Sequence, residues 1–136
     1  KVAPAMNAKD IANTIWASGQ LRLCGDDVAD MLAIIQLEAI SKLDDLTPQQ
    51  MANTCTGLAM LRAQSDDTTA LMRAVTLRTL ALAHTWSRVE KYKDLPGIIS
   101  RQAMLGFRSD ALLELTASML ISNVRKCPDW DVGAFA

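Results

Sequence analysis

The sequence predicts an all-α fold, a short α-solenoid of antiparallel helix hairpins with about three repeats. Aromatic residues make up 4% of the 136 residues, and only six Gly and four Pro occur, so the Ala-, Leu- and Met-rich composition favours helices over strands. Short strings also recur 40 residues apart: Ala12-Asn13-Thr14 and Ala52-Asn53-Thr54, Leu21-Arg22 and Leu61-Arg62, Asp26-Asp27 and Asp66-Asp67. A fixed period of this length is typical of stacked helical units, which present extended binding surfaces.

Helix-start signals recur with the same period. Asn7 precedes Ala8-Lys9-Asp10, where its side chain can accept a bond from a free amide of the first turn. Forty residues later, Thr47-Pro48-Gln49-Gln50 combines a Thr cap, a Pro at the first helical position and a Gln three residues after the cap. Both sites therefore predict the first helix of a repeat, and small residues along these helices predict close packing between neighbours.

The second helix of each repeat follows a short polar turn. The turns are Cys24 to Asp27 and Gln64 to Asp67, and their acidic residues face the positive end of the next helix. The second helices are predicted roughly over Asp27 to Lys42 and Asp67 to Trp86.

A third unit is predicted at a spacing of 44. Met60-Leu61 matches Met104-Leu105, and Ser65-Asp66 matches Ser109-Asp110. The charged stretch before it ends in Pro96-Gly97 and is predicted to be a connector. The predicted organisation is an N-terminal tail (1–5), repeat 1 (6–44), repeat 2 (45–88), a connector (89–97), a degenerate repeat 3 (98–125) and a C-terminal tail (126–136).

Charge is unevenly distributed along a nearly neutral chain. The net charge is −1 and the pI about 5.7, so the chain as a whole lacks the basic balance of a strong nucleic-acid binder. Residues 1–68 carry five basic and nine acidic side chains, whereas residues 69–136 carry nine basic and six acidic ones. An anionic partner is therefore expected to prefer the second half.

Several classes of protein are disfavoured. Cys24, Cys55 and Cys127 are odd in number and lack a CxxC spacing, which indicates a reducing compartment and neither a disulfide framework nor a zinc site. No uninterrupted apolar stretch approaches about 20 residues, so no membrane span is predicted and the chain is expected to be soluble. His84 has no recognisable triad partners and no Gly-rich phosphate loop is present. We expect no enzyme, no cofactor and no metal site, because the Asp-Asp pairs at 26/27, 44/45 and 66/67 are explained as charges at helix starts.

The strings from Asn7 to Ala17 and from Thr47 to Thr54 resemble the octotricopeptide repeat and the related repeats that precede RAP domains. Those repeats carry a pattern close to S/T-P-Q-D-L-A-N-x-L-W-A-L-A-x-L. The first copy matches through Asn13, Trp16 and Ala17, and the second has Thr56 in place of Trp16. The resemblance covers residues 6 to about 87, and more weakly to 125. It implies an α-solenoid in a mitochondrion or plastid that acts on organellar RNA or belongs to an organellar assembly.

Nine polar residues are candidate contacts for RNA or a protein partner: Asn13, Asn53, Arg22, Arg62, Arg88, Lys91, Lys93, Arg101 and Arg108. Asn can read a base edge, and Arg or Lys can contact phosphate. Each also has a structural interpretation: the Asn residues can bond a neighbouring backbone, Arg22 and Arg62 suit a negative helix end, and the remaining basic side chains suit a solvated connector. Trp16, Trp86 and Trp130 fit core packing or a partner interface better than base stacking.

Two functions follow from these observations. The first is a non-catalytic scaffold or interaction subunit of a larger organellar assembly, with other protein subunits as partners. The alternative is an RNA-binding organellar gene-expression factor. Few repeats and near-neutral charge favour the scaffold, since two or three units read little RNA sequence at about one base per repeat.

Overall fold

Six α-helices, and no strand, account for the described part of this protein. The computed structural model describes residues 6–126, with the side chains of 123–126 excepted. The helices are α1 (Ala8–Gln20), α2 (Asp26–Ser41), α3 (Pro48–Met60), α4 (Asp66–Leu82), α5 (Leu95–Met104) and α6 (Asp110–Lys126). The predicted all-α class is confirmed. The predicted tail over 1–5 and all but the first residue of the tail over 126–136, including Cys127 and Trp130, lie outside the described residues.

The helices form two layers. Helices α1, α3 and α5 contact one another in succession, as do α2, α4 and α6, and each of the pairs α1–α2, α3–α4 and α5–α6 is also in contact. We call these pairs the first, second and third units. The amide of Gln20 lies 3.2 Å from the sulfur of Met60, and both residues end their helices, so α1 and α3 run in the same direction.

Helix starts repeat as the sequence predicted. The Asn7 side chain accepts the Asp10 amide at 2.8 Å, and Thr47 and Gln50 form a complete capping box. Short 3₁₀ turns, Leu43–Asp45 and Ala83–Thr85, end the first two units at the same 40-residue spacing. These local signals mark where each unit begins and ends.

Helix ends repeat through a left-handed residue. A residue with positive φ follows the C-cap of each first-layer helix. It is Arg22 (φ 50°) after α1, Arg62 (φ 53°) after α3 and Gly106 (φ 79°) after α5. In each case this residue and the next one donate back into the helix, for example Arg62 to Ala59 and Ala63 to Leu58. The three turns are therefore one motif, and glycine is the residue best suited to its left-handed position.

The connector predicted over 89–97 is helical, which corrects that prediction. Ser87 and Glu90 form a reciprocal cap 40 residues after Thr47 and Gln50, and a π-helical stretch, Glu90–Asp94, runs directly into α5. The four extra residues are therefore inserted inside the helix. At 3.6 residues per turn they add one turn plus about 40°, and the wider π-turns absorb this rotation. Pro96 stands just after the π-helical stretch, where the regular i→i−4 bonding that a proline cannot make is already interrupted.

The first-layer helices pack through glycine. A Cβ added at Gly57 would lie 2.3 Å from the Ile15 carbonyl oxygen, and one added at Gly19 would lie 2.7 Å from the Gly57 Cα. Backbone therefore meets backbone between α1 and α3, as the small residues predicted.

Polar pairs connect the units inside this packing. The Thr68 hydroxyl donates to the Gln36 Oε1 at 2.7 Å, which joins α2 to α4. The Gln102 amide donates to the Met72 carbonyl at 3.1 Å and also bonds Thr76, which joins α5 to α4. Arg78 Nη1 donates to Asp44 Oδ1 at 2.9 Å and so ties α4 to the first 3₁₀ turn. Because buried polar groups are costly when unpaired, the bonds of Gln36 and Gln102 favour one relative placement of the units. The Arg78–Asp44 pair is exposed to solvent and contributes little.

Candidate interaction surfaces

An apolar row crosses the outside of the second layer. Leu37 on α2, Leu77 on α4 and Ile121 on α6 stand 40 and 44 residues apart, the spacing of the units. Their side chains are 55%, 63% and 53% exposed. We call these three residues the outer apolar row. Single exposed apolar residues are ordinary on a protein surface, but here three recur at one repeat position on adjacent helices.

Small and sparsely charged residues surround the outer apolar row. Ile34 is half exposed beside Leu37, while Ala81 and Ala117 are exposed on α4 and α6. Among the side chains that the structure describes, three charged residues stand one or two turns before the row on the same helices: Asp30, Arg73 and Glu114. An apolar centre with a rim of mixed charge is the usual composition of a protein-binding surface.

A polar row recurs at a 40-residue spacing in the first layer. Asn13 lies on α1, Asn53 on α3 and Lys93 in the π-helical stretch, each 40 residues after the last. Neither Asn side chain hydrogen-bonds another described residue, so the backbone bonds of the structural interpretation are not formed. Asn13 is exposed and Asn53 half-buried, and exposed Trp16 stands one turn beyond Asn13.

The predicted arginines of the helix ends lie elsewhere, at the turns between paired helices. Arg22 and Arg62 are exposed there, and Arg108 in the third turn forms a 2.8 Å ion pair with Asp110. The same edge carries the first-turn acids of the second-layer helices, Asp26, Asp27, Asp66, Asp67 and Asp110. Acidic side chains therefore outnumber the arginines, and this edge repels an anion.

The remaining basic candidates belong to the first-layer part of the third unit. Arg88 is exposed, Lys91 half-buried, and Arg101 donates to the sulfur of Met104 at 3.3 Å. Glu90 and Asp94 stand among them. Burial raises the pKa of Asp94, a rise that the Lys93 charge opposes and the Glu90 charge reinforces. The nine predicted contacts are thus divided among three places rather than gathered in one site.

The described residues offer little reactive chemistry. Burial raises the pKa of the Cys55 thiol to about 12, and its sulfur contacts the Met72 sulfur at 3.8 Å, so this thiol is held neutral in the core. Across residues 6–126, no three His, Cys, Asp or Glu side chains are grouped as metal ligands require. In the same range, no helix has the length and hydropathy needed to cross a membrane.

Grooves open wherever two successive turns meet. The groove of about 350 Å³ between the first and second turns is lined by Leu32 and Thr68 among others, and the groove of about 460 Å³ between the second and third by Met72 and Phe107. A third groove, of about 430 Å³, lies beyond the third turn against Ile99, Leu112 and Leu113. Five of its lining residues stand 44 positions after residues that line the second groove: Phe107, Arg108, Ser109, Leu112 and Leu113.

None of the nine contacts predicted from the sequence belongs to the outer apolar row. Its signal is present in the sequence, since Leu37 and Leu77 share the 40-residue period and Ile121 the 44-residue one. Only the structure distinguishes these exposed positions from the core positions beside them.

Comparison with known proteins gives no match: no family profile, no curated protein and no solved structure is similar to this chain.

Proposed function

We propose that this chain is a non-catalytic scaffold, a short α-solenoid of three helix hairpins that binds another protein through the outer apolar row. The observation that supports the proposal is the exposure of Leu37, Leu77 and Ile121 at one repeat position. Packed helix axes stand 8–10 Å apart, so three adjacent helices give a row on the order of 20 Å long. A partner helix of about four turns has this length and can place apolar residues along the row.

The organellar setting belongs to the same proposal. It is supported only by the resemblance of the first-helix strings to octotricopeptide repeats, which implies a mitochondrial or plastid assembly of protein subunits. The outer apolar row needs no such setting in order to bind a helix, so the two parts of the proposal can be tested separately.

The experiment compares wild-type protein with a triple variant, Leu37→Ser, Leu77→Ser and Ile121→Ser. Partners are captured by native purification from the source cells and quantified by mass spectrometry. We expect the amount of at least one partner recovered with the triple variant to be at least tenfold lower than with the wild type. The helical content and melting temperature of the variant should equal those of the wild type within error, because all three side chains are already exposed. The matched control is Trp16→Ser, which removes an exposed apolar side chain from the other layer and should retain the partner. Equal recovery with all three proteins would refute the proposal.

RNA binding is the second candidate, and the polar row favours it. Asn13, Asn53 and Lys93 repeat on successive first-layer helices with free side-chain donors, beside an exposed Trp16. Phosphate contacts supply most nucleic-acid affinity, and this row contains one cation, which is why we rank the scaffold first. Fluorescence anisotropy with labelled single-stranded RNA decides the matter. Binding that weakens steeply between 50 and 200 mM salt and is lost in Lys93→Glu would support RNA binding, and no binding at low salt would exclude it.

A further inference from the structure

The third unit ends in a face that is built like the contact faces inside the molecule. Positions 15, 55 and 99 are equivalent in the three first-layer helices, as are positions 19, 59 and 103. The first two members of each set are buried, Gly19 against the backbone of Gly57 in the following unit, whereas Ile99 is half-buried and Ala103 exposed. The second layer agrees, because Gln36 and Thr76 are buried and their equivalent, Leu120, is 44% exposed. We call Ile99, Ala103, Leu113 and Leu120 the C-terminal end face.

The first unit presents the complementary face at the opposite end. Gly57 is buried against α1, and its equivalent, Ala17, is exposed; the proposed contact therefore follows the junction of the second and third units, where Arg101 carries a side chain at this position, and not the glycine contact of the first two units. Thr68 is buried and bonds Gln36 of the preceding unit, Leu112 is also buried, and their equivalent, Val28, is only half-buried. We call Ala17 and Val28 the N-terminal end face.

We propose that a second copy of this chain docks its N-terminal end face on the C-terminal end face, which continues the stacking of the units from one molecule into the next. The proposal concerns a surface separate from the outer apolar row. It rests on three observations: the equivalence of these faces to internal contacts, the matching of the side chains that would meet, and the charge of the two ends.

The side chains match at the position where the units are joined internally by a polar pair. Within the molecule Thr68 donates to Gln36 between the first and second units. In the proposed stack the equivalents of these residues are Val28 of one copy and Leu120 of the other. A buried polar pair is thus replaced by an apolar pair on both sides at once, and neither copy buries an unpaired polar group. The groove lined by Ile99, Leu112 and Leu113 would then gain a second wall from the first turn of the next copy, like the two grooves between successive turns within the molecule.

The first and third units are also opposite in charge. Residues 8–41 of the first unit carry five acidic and two basic side chains, whereas residues 88–126 carry seven basic and four acidic ones. The net charges, −3 and +3, favour contact between unlike ends and disfavour contact between like ends. The contact is therefore heterologous, and repetition of it produces an open stack rather than a closed dimer.

The test is analytical ultracentrifugation of the full chain between about 1 µM and 1 mM. Leu120→Glu blocks the C-terminal end face, and Val28→Asp blocks the N-terminal one. Both introduce acidic groups, so the two blocked faces cannot pair with each other. Ala17→Glu is a second variant of the N-terminal end face at an exposed position, in case Val28→Asp lowers stability. Leu77→Glu, in the outer apolar row, is the matched control. Circular dichroism verifies the fold of each variant.

We expect the wild-type mass to rise with concentration beyond that of a dimer and Leu77→Glu to behave alike. Each end-face variant should associate at least tenfold more weakly, and an equimolar mixture of Leu120→Glu with Val28→Asp should form a 1:1 dimer and nothing larger. A wild-type protein that stays monomeric would overturn the proposal. If Leu120→Glu lowers the melting temperature of that monomer, the C-terminal end face is instead covered by residues 127–136 of the same chain. Association that survives one end-face variant and not the other would also overturn it, since it indicates a symmetric contact. Loss of partner binding through the outer apolar row leaves all these outcomes unchanged.

Discussion

Gly57→Ala is the change that most directly tests the packing of the first layer. The added Cβ would stand 2.3 Å from the Ile15 carbonyl oxygen and 2.6 Å from its carbonyl carbon, whereas an ordinary contact begins near 3.4 Å. The opposing atoms are backbone and cannot rotate away. Helices α1 and α3 must therefore separate by about 1 Å, which loosens the packing around Ile15 and Leu58.

The expected cost follows from two opposing effects. Overpacking of a core costs roughly 1–3 kcal/mol, and a rigid backbone obstacle places this site at the upper end. Alanine in place of glycine inside a helix stabilises the folded protein by about 0.8–1 kcal/mol, because alanine has the higher helix propensity. The net destabilisation is therefore about 2 kcal/mol, or a melting-temperature decrease on the order of 6–10 °C for a chain of this size.

Urea denaturation followed by far-UV circular dichroism measures this change. Gly97→Ala is the matched control, because its Cβ would meet only the Ala52 Cβ, at 3.8 Å, so the same substitution should be neutral or stabilising by up to about 1 kcal/mol. Equal midpoints for the two variants would refute the backbone contact between α1 and α3.

Three further outcomes follow from particular residues. Arg62→Gly should raise the free energy of unfolding by up to about 1 kcal/mol, because Arg62 has the left-handed conformation that Gly106 has in the third unit. Thermal denaturation measures this change, and a lower free energy of unfolding in the variant would contradict it. Asp94→Asn should stabilise the protein at neutral pH, because burial raises the pKa of Asp94 in the folded protein. The wild type therefore loses stability as the pH rises from the pKa of Asp94 in the unfolded chain, about 3.9, through its higher pKa in the folded protein. Melting curves should show the advantage of Asp94→Asn disappearing at acid pH, and a pH-independent difference would exclude this cause. In a Cys127→Ser background, Ellman's reagent should react at once with exposed Cys24 and with Cys55 only on unfolding, since burial raises the Cys55 pKa to about 12. Two fast thiols in the folded protein would contradict the burial of Cys55.

Helix starts and turns could be predicted because they depend on neighbouring residues. Asn7, Thr47 and the Asp pairs at 26/27 and 66/67 act within one or two turns of the chain, and the structure places them where the sequence did. The all-α class follows from the same local signals together with composition.

The third unit was harder to predict because its signals conflict. Pro96-Gly97 marks a break in most contexts, yet the cap at Ser87 and Glu90 starts the helix nine residues earlier. The π-helical stretch that reconciles them depends on both ends of the helix being held in the first layer, which is a tertiary constraint. The scattering of the nine candidate contacts has a similar origin, since a residue's type does not show which layer or edge it will occupy.

The units share their helix ends and differ in the residues between them. Asn7, Thr47 and Ser87 start the first-layer helices alike, whereas the contacts between units use Gln36 with Thr68 in one place and Thr76 with Gln102 in the next. A buried hydroxyl paired with the wrong neighbour is left unsatisfied, so these pairs penalise a shifted or exchanged order of the units. At the free end the corresponding residue is Leu120, which makes no such demand and leaves an apolar surface. Polar pairs favour the internal order, and the apolar replacements, Leu120 and Val28, stand at the contact that we propose forms between two copies.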